Sequence, residues 1–274
     1  LGTSHCAVSV DDLAPRSKGV GGAVNDPEAE ADIAVEFIQP APALRRFISG
    51  YHRYTLSFPA GTVHRDLFYP AWGNVRFYSR GADWRITIGD CTFDPVPHAA
   101  LFGPTSRVSV SQSTSGTLIG AGLTPLGWSH FVRTAAADFA DRIVPLDNTM
   151  SDADGLADAV LDAPDAATAA MAMDEFFLAR IGRPGRSDMR IEAMHRLLAE
   201  ASSITVDDAA ASLGMHPRAF LRLALLAFGF RPKLLLRRAR FLRTLTRLDE
   251  DRQANWVEVL DPGYHDQSHF IRDA

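Results

Sequence analysis

The sequence predicts an α+β protein, with a β-rich sandwich or small barrel over residues 37–150 followed by an all-helical segment over 187–274. Three observations carry this. Short alternating apolar runs, holding most of the aromatic residues, fill the first region and are separated by turn residues. From residue 151 onward the apolar period changes from two to about 3.6. Finally, nine basic residues and no acidic one lie between Met215 and Leu248, although the whole chain carries a formal net charge of −5. Outside that stretch 19 basic residues face 33 acidic ones, so a +9 segment is attached to a body of −14. Local segregation of this kind, and not the total, decides whether a chain can meet nucleic acid.

The 274 residues, 46% apolar and 22% charged, fall in the globular range and suit two domains of ordinary size. Apolar stretches stay far below the roughly 18 residues of a membrane span. The first 30 residues, with Asp11, Asp12, Glu28 and Glu30, lack a signal-like apolar region, so no membrane partner is expected. Cys6 and Cys91 are the only cysteines. They cannot build a disulfide framework or a four-thiolate metal site, and a reducing, cytoplasmic location is expected.

Residues 1–36 mix glycines, acids and scattered Ala and Val without a sustained period, and read as a mobile tail. The β-rich region contains the runs Tyr51–Leu56, Asn74–Tyr78 and Trp84–Ile88, separated by Pro59-Ala60-Gly61, Ser79-Arg80-Gly81 and Gly89-Asp90. A strand over Thr117–Leu123 leads into a helix over Leu126–Arg133. Residues 151–186 form a helical connector, with Leu156, Ala159, Val160, Met173, Phe176, Phe177 and Ile181 at helical spacing and a break at Arg183-Pro184-Gly185-Arg186-Ser187.

Past that break, Ile191, Met194, Leu197 and Leu198 mark one amphipathic helix. Thr205 is the N-cap of a second, whose apolar positions Val206, Ala209, Ala210 and Leu213 run to Gly214. Pro217 opens a third helix with a buried stripe of Phe220, Leu223, Ala224, Ala227 and Phe228, ended by Gly229. Arg218, Leu221, Arg222 and Leu225 fall on its opposite face. A short helix, a glycine turn and a second helix presenting arginines is the helix-turn-helix pattern, in which the second helix enters the major groove. Arginine's planar fork can take guanine O6 and N7 together, while Lys233, Arg237 and Arg240 are placed to follow phosphates.

These residues resemble the AraC-type family of transcription regulators. The resemblance covers roughly Met189 to the end. It rests on Ala209-Ala210-Ala211-Ser212-Leu213-Gly214, on Pro217-Arg218 through Leu221-Arg222-Leu223, on Gly229-Phe230-Arg231-Pro232-Lys233, and above all on Gly263-Tyr264-His265-Asp266-Gln267-Ser268-His269-Phe270-Ile271-Arg272-Asp273. It implies two helix-turn-helix units joined by a long helix, here Pro232 to about Leu248, following a sandwich or cupin-like barrel. By the resemblance Arg218, Leu221 and Arg222 face bases in the first unit, and Gln267, Ser268 and Arg272 in the second; Leu225 and His269 are expected to meet DNA beside them. The N-terminal half resembles more weakly the ligand-sensing domain of some such regulators, through Pro42-Ala43-Leu44 and Gly120–Trp128 ahead of Asp141–Leu146. The implied partners are double-stranded DNA, a small-molecule effector, a second copy in a homodimer and the transcription machinery, with no cofactor.

The chain also departs from the family pattern. Ala224, Leu225 and Leu226 stand where an aromatic and polar residues are usual, making the first recognition helix unusually apolar. Pro262 replaces a small helix former and should shorten the preceding helix. The sequence starts at Leu1 and ends at Ala274, inside the second recognition helix, so both ends read as those of a fragment with a weakened second unit.

An enzyme is not expected. The strongest rival is a cupin-like metalloenzyme using His52, His64 and His98, with the basic segment serving only localisation. There is no His-x-His pair, however, and no Glu at all between Glu36 and Glu175. Gly120-Ala121-Gly122 lacks the third glycine of a dinucleotide loop, since Pro125 occupies that place. No Gly-x-Ser-x-Gly occurs, and Cys91 beside Thr92 and Phe93 reads as a small buried residue and not a reactive thiolate. Tyr51, Tyr54, Phe68, Tyr69, Trp72, Phe77 and Trp84 either line an effector pocket or pack the core.

Overall fold

The computed structural model describes residues 32–151, 153–200 and 204–250. Among these residues ten strands form two antiparallel sheets. The strands are β1 (Asp32–Ile38), β2 (Ile48–Ser57), β3 (His64–Phe68), β4 (Asn74–Tyr78), β5 (Trp84–Ile88), β6 (Cys91–Phe93), β7 (Ala99–Phe102), β8 (Ser109–Ser113), β9 (Gly116–Leu123) and β10 (Ile143–Pro145). The larger sheet has the order β1, β2, β9, β4, β7, β10 and the smaller β3, β8, β5, β6. Seven α-helices follow or interrupt them: α1 (Pro125–Phe131), α2 (Ala153–Leu161), α3 (Ala166–Leu178), α4 (Asp188–Glu200), α5 (Val206–Ser212), α6 (Pro217–Leu223) and α7 (Pro232–Glu250). The result is α+β, β-rich first and helical afterwards.

The period of two along the larger sheet builds two cores at once. Tyr51, Val75, Phe77, Leu101, Ile119 and Ala121 point to the helical side. Their neighbours Leu56, Tyr78, Ala100, Phe102 and Leu118 point between the sheets, where Trp84, Ile86 and Ile88 of β5 meet them. The helical-side core does not stop at the sheet. It continues through Trp128 and Phe131 of α1 and Met173 and Phe177 of α3 to Met194, Phe220, Phe228 and Leu235, so one apolar cluster joins the β-rich and helical halves.

Three expectations change. Asp32–Glu36, grouped with the tail by composition, are the first residues of β1 and pair with Arg53–Ser57 of β2; residues 1–31 lie outside the described residues. Residues 151–186 do more than connect, because α2 and α3 cover the outer face of the larger sheet through Ala153, Ala157, Val160, Ala170 and Phe177. Cys91, expected to be buried, is exposed. It pairs with Ile88 across a two-residue turn in the three-residue edge strand β6, whose short length gives it no cover.

Asp174 of α3 fixes the helix layer on the sheet. Its carboxylate accepts from the Tyr51 hydroxyl at 2.7 Å and from the Ala41 amide at 3.0 and 3.2 Å. Burial and this bond hold the Tyr51 phenol well above its ordinary pKa. Asp174→Ala leaves two enclosed donors without an acceptor and should cost about 2 kcal/mol in a urea titration, against a smaller loss for Tyr51→Phe, which preserves the bond to Ala41.

Candidate nucleic-acid interface and the junction behind it

Helices α5 and α6 form where the caps predict. The Thr205 side chain accepts from the Asp208 amide at 3.1 Å to start α5. Gly214, at φ +61°, turns the chain, and His216 Nδ1 accepts from the Arg218 amide at 3.2 Å with Pro217 in the first turn of α6. Only glycine holds such a φ cheaply. Past Leu223 the helix does not stay α. Ala224–Phe228 form one π-helical turn, closed by Gly229 at φ +84°. Leu226 in this turn is 47% exposed, while Ala224, Ala227 and Phe228 are buried on the stripe that the sequence spacing marks.

Arg218 and Arg222, one turn apart, are exposed on the outer face of α6, with Leu221 and Leu225 half-buried beside them. Phe220 and Leu223 hold the inner face down. Lys233 and Arg237 at the start of α7 are also exposed, whereas Arg240 is half-buried with its Nε enclosed. Two arginines of the basic stretch turn inward: Arg243 donates to the Leu198 carbonyl at 2.9 Å, and Arg238 is only 5% exposed. Packing turns them in against different neighbours, Arg238 toward the β-rich half and Arg243 toward α4, a distinction that a charge count passes over. Gln267, Ser268, His269 and Arg272 lie outside the described residues.

Arg238 leads to the junction between the halves. Its Nη2 donates to the Pro70 carbonyl at 3.2 Å, and its guanidinium stands 4.0 Å from the Trp72 ring centroid. The indole also takes Phe228 and His195 edge-on, at 5.5 and 5.6 Å. Close by, a Cβ on Gly229 would come within 2.7 Å of Pro104 Cγ, so the end of the π-turn rests directly on the β-rich half. Around this contact α4 is tied by Arg46–Glu192 at 2.8 Å on the surface and by His130–Asp188 at 3.0 Å in the interior.

Two clefts of ligand size flank the junction. One, about 530 Å³, lies between the end of α1 and the α4 and π-turn side. The other, about 470 Å³, lies between Thr87 and Val110 of the smaller sheet and Leu234, Arg237 and Phe241 of α7, with Arg107 at its edge. The aromatics do not line a common pocket. Strand alternation sends Tyr51 and Phe77 to the helical core and Tyr54, Phe68 and Trp84 between the sheets, while Trp72 goes to the junction. The cavity between the sheets is about 20 Å³, room for a water.

The three histidines of the metal reading are dispersed. His52 is enclosed in β2, where burial and then Arg76 hold its imidazole down at about 3. His64 stacks on Phe58 at 5.0 Å, and His98 precedes β7 with Nε2 enclosed. Among the described residues no three His, Cys, Asp or Glu side chains come together as a metal site would require. No described helix is long and apolar enough to cross a membrane.

No family model matches the chain, and no curated protein is significantly similar to it. Solved structures do overlap. An apo, singly substituted variant of ToxT from Vibrio cholerae strain SCE256 has 10% identity and a TM-score of 0.43 over 91% of this chain and 94% of that one. The unsaturated-fatty-acid-bound wild-type ToxT of the same strain gives 8% and 0.43 over 91% and 92%. The AraC-like transcriptional activator CuxR gives 12% and 0.27 over 77% and 85%. At TM-scores this low no function or residue correspondence is carried over.

His195 makes the junction sensitive to acid. Burial, then the nearby Arg238 charge, hold its imidazole at about 4, with Glu192 opposing. The unfolded chain titrates near 6.5 and therefore takes up the proton first as pH falls. Stability present above about pH 6.5 is lost on the way down to about pH 4, at up to about 1.4 kcal/mol per unit for each such histidine. Urea midpoints at pH 7, 6 and 5 should fall in sequence, and His195→Gln should make the decline shallower by removing its share and leaving that of His52.

Proposed function

We propose that the chain is a sequence-specific DNA-binding transcription regulator of AraC type whose β-rich half responds to a small effector. The observation that carries this reading is the pair Arg218 and Arg222, both exposed on one face of α6, with the opposite face buried and the preceding turn made by Gly214. Two planar cationic forks four residues apart, separated by about 6 Å of helix rise, suit adjacent base edges in a major groove. Lys233 and Arg237 extend the positive surface toward the backbone phosphates, with Arg240 as a further contributor. Leu221 and Leu225 offer apolar contact to thymine methyl groups. The second unit, with Gln267, Ser268, His269 and Arg272, would occupy the next groove segment.

The reading has no enzymatic step and needs no cofactor. A homodimer, contact with the transcription machinery and a cytoplasmic location belong to it as the ordinary setting of such a regulator. Effector response is supported by the continuous apolar cluster and by clefts bounded by both halves, because an occupant there touches the DNA-reading helices and the β-rich half together. Any such coupling is mutual: an effector that changes DNA affinity has its own affinity changed by the same factor.

Selection of bound fragments from a random DNA pool tests the reading. Enrichment of a motif spanning about two major-groove segments is expected, and no enrichment at low salt overturns it. On the selected site Arg222→Ala should cost about 1–3 kcal/mol and relax discrimination at particular base pairs. Lys233→Ala should weaken binding to all sequences alike and lower the salt slope by about one unit. Indistinguishable, uniform losses in the two variants would remove Arg222 from base reading.

A further inference from the structure

We infer that the cleft between the end of α1 and α4 is a binding site for a small organic anion, a carboxylate or phosphate monoester on an apolar body. The inference rests on the effector-responsive reading above and supplies its site and ligand class. At about 530 Å³ the cleft has the size of a small-ligand pocket. Its floor is the buried His130–Asp188 pair. Asp188 Oδ2 accepts from both His130 Nε2 and the Gly185 amide, at 3.0 and 2.9 Å, so its negative charge is already met by donors of the protein.

The cations stand higher. Arg133 and Arg183 line the cleft, and both are exposed. Arg133 ends α1 at φ +61°, a left-handed position where glycine is the inexpensive residue. A non-glycine residue held there is a place to look for function. Its Nε donates to the His130 carbonyl at 2.9 Å, which aims the guanidinium; Nη2 reaches across to Gly182, 3.6 Å from where a Cβ would stand. The planar fork's outer edge then remains to meet an oxyanion two-handed. The opposite wall is apolar, made by Leu223, Leu226 and Ala227. Leu226, 47% exposed, gains cover when the cleft is filled.

Position gives the site its consequence. Arg133 belongs to the β-rich half, Arg183 to the lead-in of α4, Asp188 to its first turn, and Leu226 to the π-turn that continues the helix carrying Arg218 and Arg222. An anion gripped by Arg133 and Arg183 while touching Leu226 binds only one relative placement of these parts, and so favours it.

Calorimetry on the full chain tests this with benzoate and phenyl phosphate as probes and benzyl alcohol as the uncharged control. Saturable binding of at least one anion, about tenfold or more tighter than the alcohol, is expected. Arg183→Gln and Arg133→Gly should each weaken it about tenfold, and Leu226→Trp should block it by filling the mouth. Arg133→Gly separates binding from folding, because glycine suits φ +61° and the unfolding temperature should be unchanged or raised. Absence of saturable binding for both anions, equal binding of the alcohol, or wild-type affinity in both arginine variants overturns the site. Motif enrichment from the DNA pool without anion binding sinks the cleft alone. Arginine-dependent anion binding without enrichment upholds the cleft and sinks the regulator.

Discussion

The packing of Trp72 against Arg238, Phe228 and His195 is the contact on which the arrangement of the two halves depends. A tryptophan from the loop before β4 is met by one residue from each of three helical segments, so shifting any of them opens the same indole. The guanidinium is largely removed from water, where a cation over an indole face contributes about 2 kcal/mol, and its bond to the Pro70 carbonyl fixes its plane. Burial first, and then the Arg238 charge, favour the neutral ring of His195 there, with Glu192 opposing.

The π-turn lies beside this contact. Phe228 at its end meets Trp72 and Gly229 meets Pro104, while Arg218 and Arg222 face outward on the preceding turns. Leu226, in the same turn, is exposed at the rim of the α1–α4 cleft. One local irregularity thus joins the proposed DNA face, the junction and the proposed anion site.

The larger sheet has a comparable double duty. Because successive residues of β2, β4, β7 and β9 face opposite ways, each strand packs the helices with one set and the smaller sheet with the other. Filling both sides leaves little space between the sheets, and the two ligand-sized clefts described above lie where the β-rich half meets the helices.

Much of the helical half was legible in the chain. Caps and periodicity placed α4, α5 and α6, with Thr205, Pro217, Gly214 and Gly229 at their observed roles, because these are local effects of a few consecutive residues, whereas the bounds of α7 came from the family resemblance. Strands β2, β4, β5 and β9 were legible for the same reason. Strand β8 was not: it turns Ser109, Ser111 and Ser113 inward and leaves Val110 half-buried, so its alternation runs against hydrophobicity. Nor could spacing show that Arg238 and Arg243 leave the positive surface while Arg218 and Arg222 stay on it, or that Trp72 serves the junction. Consecutive residues set the elements, their caps and the charge they carry. Which charges face solvent and where cavities open was settled only in three dimensions, because burial depends on residues far apart along the chain that packing alone brings together.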